Sequence, residues 1–241
     1  MAAIKLDILA IGIHPDDVEL GCGGTLAKHQ ALGYKTGILD LTQGEMGTRG
    51  TIETRNQEAS EAAIILKTSI RENLCLEDVW AIADKETQLA IIVKIRKYQP
   101  EIVLINAPTD RHPDHKKGAD MAADACFISG LQKVLTEENG KAQNAWRPKA
   151  VYHYIQGNFI DPDFVVDISD FFEIKMQAVQ AYKTQFYDPT STENNTFISD
   201  PQFLEAVKSR DIMLGKIINV GYAEGFLKTR YIGVDDITKL L

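Results

Sequence analysis

The chain has 241 residues, with 34 acidic against 26 basic side chains and a formal net charge of −8. Nothing basic is clustered, so no nucleic-acid or anionic-membrane partner is expected, and no apolar run approaches the ~20 residues of a membrane span. Cys22, Cys75 and Cys126 are odd in number and widely spaced, which suits a reducing compartment rather than a disulfide framework.

Without a signal-peptide pattern ahead of the first strand, the expected location is the cytoplasm. The length suits one large α/β unit, and residues 1–241 read as a single domain.

Leu6 to Ile13 is a short apolar run that reads as a buried parallel strand. Gly24 to Leu32 has a helical pattern closed by Gly33, and Lys35 to Leu41 reads as the second strand. Thr42 to Thr51 is a polar loop with glycines at 44, 47 and 50. Glu53 to Lys67 follows as a helix, Ile70 to Leu76 as a short strand, Thr87 to Tyr98 as a helix and Glu101 to Ala107 as a strand. His115 to Ser129 is a further helix, with Pro113 suited to its first position because no backbone N–H is needed there. Lys133 to Pro148 reads as a surface loop, and Ala150 to Ile155 and Phe164 to Ile168 as strands at the sheet edge. Phe171 to Phe186 and Pro201 to Val220 read as helices around a loop, Tyr187 to Asp200. Strand–helix alternation predicts an α/β, Rossmann-like doubly wound, mostly parallel sheet with helices on both faces.

Two matching motifs stand at strand ends. His14-Pro15-Asp16-Asp17 follows the first strand, and His112-Pro113-Asp114-His115 follows the strand at Glu101 to Ala107. Ligands of open α/β sheets bind beyond the carboxyl ends of strands, so both motifs can reach one site. Taken singly, His14 reads as a helix cap and Asp17 or Asp114 as ordinary helix-start acids; taken together they read as a metal centre.

Catalytic zinc takes three protein ligands and keeps a position for water. His14, Asp17 and His115 supply two neutral nitrogens and one carboxylate, with one ion per chain. Asp16 is then placed to act as general base. His112 is placed to stabilise an oxyanion or protonate a leaving amine, with Asp114 to orient its ring. Cys22 reads as small packing between glycines, His29 and His153 as ordinary helix and strand residues, and Tyr152 and Tyr154 as packing. A dinucleotide fingerprint using Asp40 fails because Gly21, Gly23 and Gly24 do not have the required spacing. A non-haem iron triad would leave no need for a neighbouring free acid such as Asp16.

These residues resemble the PIG-L-type zinc-dependent N-acetylglucosaminyl deacetylases. The resemblance extends through Arg55-Asn56-Gln57-Glu58-Ala59, Ala181-Tyr182-Lys183-Thr184-Gln185 and Gly221 to Phe226. Within that family the chain most resembles the deacetylases of bacillithiol biosynthesis, which act on N-acetylglucosaminyl-malate.

The resemblance implies a Rossmann-like fold, zinc on His14, Asp17 and His115, Asp16 as base and His112 as electrostatic partner. It also implies a small-molecule sugar substrate faced by Arg55, and a homo-oligomer. Arg49, Arg55 and Arg111, with Glu45, flank the expected site and are candidates for substrate binding; the arginines could instead bond Asp110 or Glu45 and hold the loops in shape. An oxyanion tyrosine of the family is expected near Asn195 to Ser199, where this chain has Phe197; Tyr187 is the nearest hydroxyl in sequence.

Overall fold

The computed structural model describes residues 4–240. In chain order the elements are β1 (Ile8–Gly12), α1 (Asp17–Ala31), β2 (Thr36–Thr42), α2 (Ile52–Leu66), β3 (Ile70–Leu76), α3 (Lys85–Tyr98), β4 (Ile102–Ile105) and α4 (Pro113–Ile128). A small antiparallel hairpin follows, β5 (Glu137–Glu138) with β6 (Lys141–Ala142). After it come β7 (Ala150–Tyr154), β8 (Phe164–Asp167), α5 (Phe172–Gln180), α6 (Phe203–Ile217) and β9 (Ala223–Lys228).

The main sheet has seven strands in the order β3-β2-β1-β4-β7-β9-β8. The first five are parallel, and β9 runs antiparallel to both β7 and β8. Parallel strands covered on both faces need apolar side chains on both sides. In β1, Ile8 and Ala10 enter the cluster shared with α1, α2, α5 and α6, while Leu9 and Ile11 enter the cluster under α3 and α4. This is the doubly wound sheet expected from the sequence. The chain leaves β1 toward β2 on one side, and β4 lies on the other, so the sheet's switch point falls between β1 and β4.

The structure differs from the sequence reading at the start of α1, in the sheet position of β7, at the end of α5, and in the β5–β6 hairpin within the expected loop Lys133 to Pro148. The first helix begins at Asp17 rather than Gly24, with a break at Cys22 (φ −149°, ψ 20°). The break frees backbone groups that other elements then take up. The Gly24 and Thr25 amides donate to the two Glu224 carboxylate oxygens at 3.0 and 2.7 Å, and the Leu20 carbonyl accepts from Arg210 at 2.9 Å. Gly24, the expected start, is thus the start of the second half of the helix.

β7 is not an edge strand, because β9 is inserted between it and β8. Glu224 and Gly225 in β9 are poor strand formers and hide its pattern; the acid is tolerated there because it caps α1 and lies 2.9 Å from the buried Lys175 ammonium. The helix expected over Phe171 to Phe186 ends at Gln180, and residues 181–186 turn to bring Gln185 toward α2.

The glycine cluster of α1 is a packing device. A Cβ on Gly21 would lie 2.2 Å from the buried Tyr154 ring, so only glycine lets α1 lie this close to β7. Asp40, the acid of the rejected dinucleotide reading, is bonded through both oxygens by Arg71, at 2.7 and 2.9 Å. No described helix is long and apolar enough to cross a membrane.

Candidate active site

Both His-Pro-Asp motifs meet at the switch point. Pro15 follows β1 and holds a tight turn into α1; Asp16, its N-cap residue, sits in the left-handed region (φ 106°, ψ −26°) and makes no side-chain cap. A non-glycine residue there is strained, and such strain collects at functional sites. The consequence is directional: Asp16 and Asp17 point to different partners.

Asp17 is buried and fully engaged. Its Oδ2 accepts from the His14 amide and from Asn106 Nδ2, both at 3.0 Å, and its Oδ1 accepts from Gln156 Nε2 at 2.7 Å. His115 Nε2 is 3.1 Å from Asp17 Oδ1, and His14 Nδ1 is 3.8 Å from Oδ2. Burial alone would raise the Asp17 pKa, but His115 and His14 hold it well below the usual carboxylate range.

Asp16 is equally buried, with Arg55 as its cation, 3.4 Å from Oδ2. Burial pushes its carboxyl up to about 7, against the pull of Arg55 and with help from the Asp17 charge. A carboxyl near neutrality is suited to taking and returning a proton. Arg55, from α2, is held in turn by the Pro15 carbonyl and by Gln185 Oε1 at 2.7 Å.

His112 caps α4 with its ring: Nδ1 accepts from the Asp114 amide at 3.3 Å. A ring whose Nδ1 is an acceptor carries its proton on Nε2 when neutral. Burial, then the neighbouring His14 and His115, lower its pKa and favour that neutral form. Asp114 Oδ2 lies 3.9 Å from His112 Nδ1, and Asp114 Oδ1 accepts from Lys117 at 2.8 Å. Ring nitrogens of His14, His112 and His115 lie within 4.8 Å of one another, as do donor atoms of His14, Asp78 and Asp114.

A cavity of about 340 Å³ opens over these residues, within the range of small-ligand pockets. His14, Asp16, Asp17, Arg55, Arg111, His112 and His115 all line it, and Thr196, Phe197 and Ile198 from the loop expected to cover a surface line its far side. Arg111 stacks on the Phe197 ring at 4.2 Å.

Glu45 and Arg49 do not line it. Glu45 accepts from the Asp78 amide at 2.7 Å, and Arg49 binds Ser191 Oγ at 2.6 Å and the Phe186 carbonyl at 3.4 Å. Both hold loops. Tyr187 is half exposed and also outside the lining.

The sequence by itself does not single out Asp78, Asn106 or Gln156, offers Asp110 only as a loop anchor, and marks Gln185 only as part of the resemblance over Ala181 to Gln185. Asp78 and Asn106 each follow a parallel strand, a position that could have marked them. Gln156 carries no such signal, since its partners lie on distant elements; at Gln185 the one signal is the resemblance.

The PIG-L family model, described as GlcNAc-PI de-N-acetylase, matches residues 9–126. Diacetylchitobiose deacetylase of Thermococcus kodakarensis is 31% identical over 189 residues, covering 74% of this chain and 70% of that protein. The 4-oxalmesaconate hydratase of Pseudomonas putida is 26% identical over 233 residues, covering 90% and 86%. The crystal structure of a conserved protein from Thermus thermophilus superimposes with a TM-score of 0.85 at 36% identity, covering 96% of this chain and 98% of that one. Matched across its motif-bearing N-terminal part and across most of a relative, the chain belongs to the PIG-L de-N-acetylase family.

Proposed function

We propose that the chain is a zinc-dependent N-deacetylase that releases acetate from an N-acetylglucosamine derivative, with N-acetylglucosaminyl-malate, the bacillithiol precursor, as the favoured substrate. One observation carries the reading: adjacent aspartates lining one cavity have been separated into a histidine-bound carboxylate suited to a metal and an Arg55-paired carboxyl suited to a proton.

The donor set fits zinc. His115 Nε2 lies 3.1 Å from Asp17 Oδ1 and His14 Nδ1 3.8 Å from Asp17 Oδ2, and the other ring nitrogen of each histidine is 3.0 Å from a second carboxylate. Held by His14, Asp17 and His115, a zinc ion supplies Lewis acidity that polarises an amide carbonyl and makes water nucleophilic near neutral pH. Asp16 takes the proton from the attacking water at its carboxylate and returns it to the departing amine. Arg55 keeps that carboxylate aimed into the cavity. His112 donates from Nε2 to the oxygen that gains charge in the transition state. With phenylalanine at 197, that donor stands in for the tyrosine expected in the family. Arg111, which lines the cavity beside the Phe197 ring, would supply the cation for a carboxylate of the aglycone.

Acetate release from N-acetylglucosaminyl-malate, diacetylchitobiose and free N-acetylglucosamine, with and without a strong chelator, tests the reading. Chelator-sensitive release is expected, fastest from the malate glycoside; no release from any of the three would overturn it. The hydratase relative supports a second reading, in which the same base and metal direct water to a carbon–carbon double bond. Turnover of 4-oxalmesaconate without acetate release from any sugar would favour that alternative.

A further inference from the structure

Each of the two histidines assigned to zinc has its other ring nitrogen against a second aspartate. His14 Nε2 lies 3.0 Å from Asp78 Oδ1, and His115 Nδ1 lies 3.0 Å from Asp110 Oδ2. A carboxylate only accepts, so each favours a ring proton on the nitrogen turned away from Asp17; at His14 the contact is a hydrogen bond, and at His115 it is a close ion-pair contact to a buried Nδ1 that has no other partner among the described residues. We propose that Asp78 and Asp110 are positioning residues that set the tautomers of His14 and His115, presenting His14 Nδ1 and His115 Nε2 to the metal. The inference rests on the zinc reading of His14, Asp17 and His115.

The surroundings show that both carboxylates are held for a task. Asp78 follows β3 in a turn where Val79 has φ 69°, a conformation costly for a β-branched residue. The turn is over-determined: the Asp78 amide is taken by Glu45, while the Met46 and Val79 amides donate to the Asp78 carboxylate at 3.1 and 2.9 Å. Glu45 therefore acts on the site through Asp78. Asp110 accepts from the Gly157 amide at 3.2 Å, and a Cβ at Gly157 would lie 2.0 Å from Asp110 Oδ1. Only glycine leaves room for that carboxylate. Partners of this kind orient metal-bound histidines and raise their basicity, and losing one typically weakens metal binding about 10–100-fold.

The test measures zinc affinity by chelator competition for the wild type, Asp78→Asn, Asp110→Asn and Gly157→Ala. The last displaces the Asp110 carboxylate without altering any ionisable group. Each variant is expected to bind zinc about 10–100-fold more weakly than the wild type. Nitrogen-15 NMR of the zinc-loaded wild type is expected to show His14 protonated on Nε2 and His115 on Nδ1, a readout that needs no variant to fold. Unchanged affinity in all three variants, or the opposite tautomers, would overturn the proposal; opposite protonation at His14 would make Asp78 and His14 Nε2 the metal-facing pair instead. A wild type that binds no zinc sinks the zinc reading along with it. Since neither readout uses substrate, absence of acetate release would sink only the deacetylase reading.

Discussion

Asp16 and Asp17 are neighbours in sequence, yet Asp17 Oδ1 lies 3.1 Å from His115 and Asp16 Oδ2 lies 3.4 Å from Arg55. The left-handed backbone at Asp16 produces the division, sending one carboxylate to the histidines and the other to the guanidinium of α2.

Asp16→Asn and Asp17→Asn should therefore fail in different ways. Asn at 16 leaves the histidines and Asp17 intact but accepts no proton, so zinc content should hold while kcat falls about 10²–10⁴-fold. Asn at 17 removes the carboxylate charge proposed to face zinc, so zinc content should fall with activity. Metal analysis and kcat on both proteins check this, and the reverse pattern would exchange the two roles.

Arg55→Lys should lower kcat while zinc stays bound. A lysine ammonium cannot span Asp16, the Pro15 carbonyl and Gln185 together as the guanidinium does. The same variant should melt at a lower temperature, because Gln185 then loses its link between α2 and the chain after α5. Unchanged kcat and melting temperature together would show that the clamp is idle.

Arg111→Ala should discriminate between substrates. A lost charge-assisted contact is worth about 1.5–3 kcal/mol, so kcat/KM for the malate glycoside should fall by roughly 10–150-fold. The value for free N-acetylglucosamine should change little. An equal loss on both would assign Arg111 to the sugar or to the stack on Phe197 rather than to the aglycone.

Lys175→Met is a test of the fold behind the site. The Lys175 ammonium is buried between Asp211 and Glu224, at 2.6 and 2.9 Å. Removing it leaves two buried carboxylates without their shared cation, a loss expected to cost about 3–5 kcal/mol. Urea unfolding would measure it. A loss below ~1 kcal/mol would mean that Arg210 and the helix amides already neutralise the pair.

Gly21→Ala should also destabilise, by about 1–3 kcal/mol or more, because the methyl meets the Tyr154 ring on a fully buried face. Since Tyr154 also bonds the Ile11 carbonyl, thermal melting and zinc affinity should both register the shift.

What the sequence by itself determined is local. Apolar runs such as Leu6 to Ile13 and Glu101 to Ala107 dictate buried parallel strands, and the motifs that follow them must emerge at the carboxyl ends. Those constraints act over a few residues, so His14, Asp17 and His115 could be named as candidates from the chain alone, while Arg55, inside α2, is marked by the resemblance.

Tertiary structure decided what depends on partners distant in sequence. Arg49 and Glu45 carry the same charges as Arg55 and Asp17, yet the fold turns them onto Ser191 and the Asp78 turn instead of the cavity. β9 escaped notice because Glu224 is acceptable in a buried strand only when Lys175 and the broken helix α1 meet it there. Asp78 shows the same dependence: an aspartate after a strand has no special chemistry until a histidine nitrogen from another segment, here His14, stands 3.0 Å away. The role of Asp78 is set by long-range packing, which no spacing along the chain encodes, whereas Asp110 meets His115 within the one stretch 110–115.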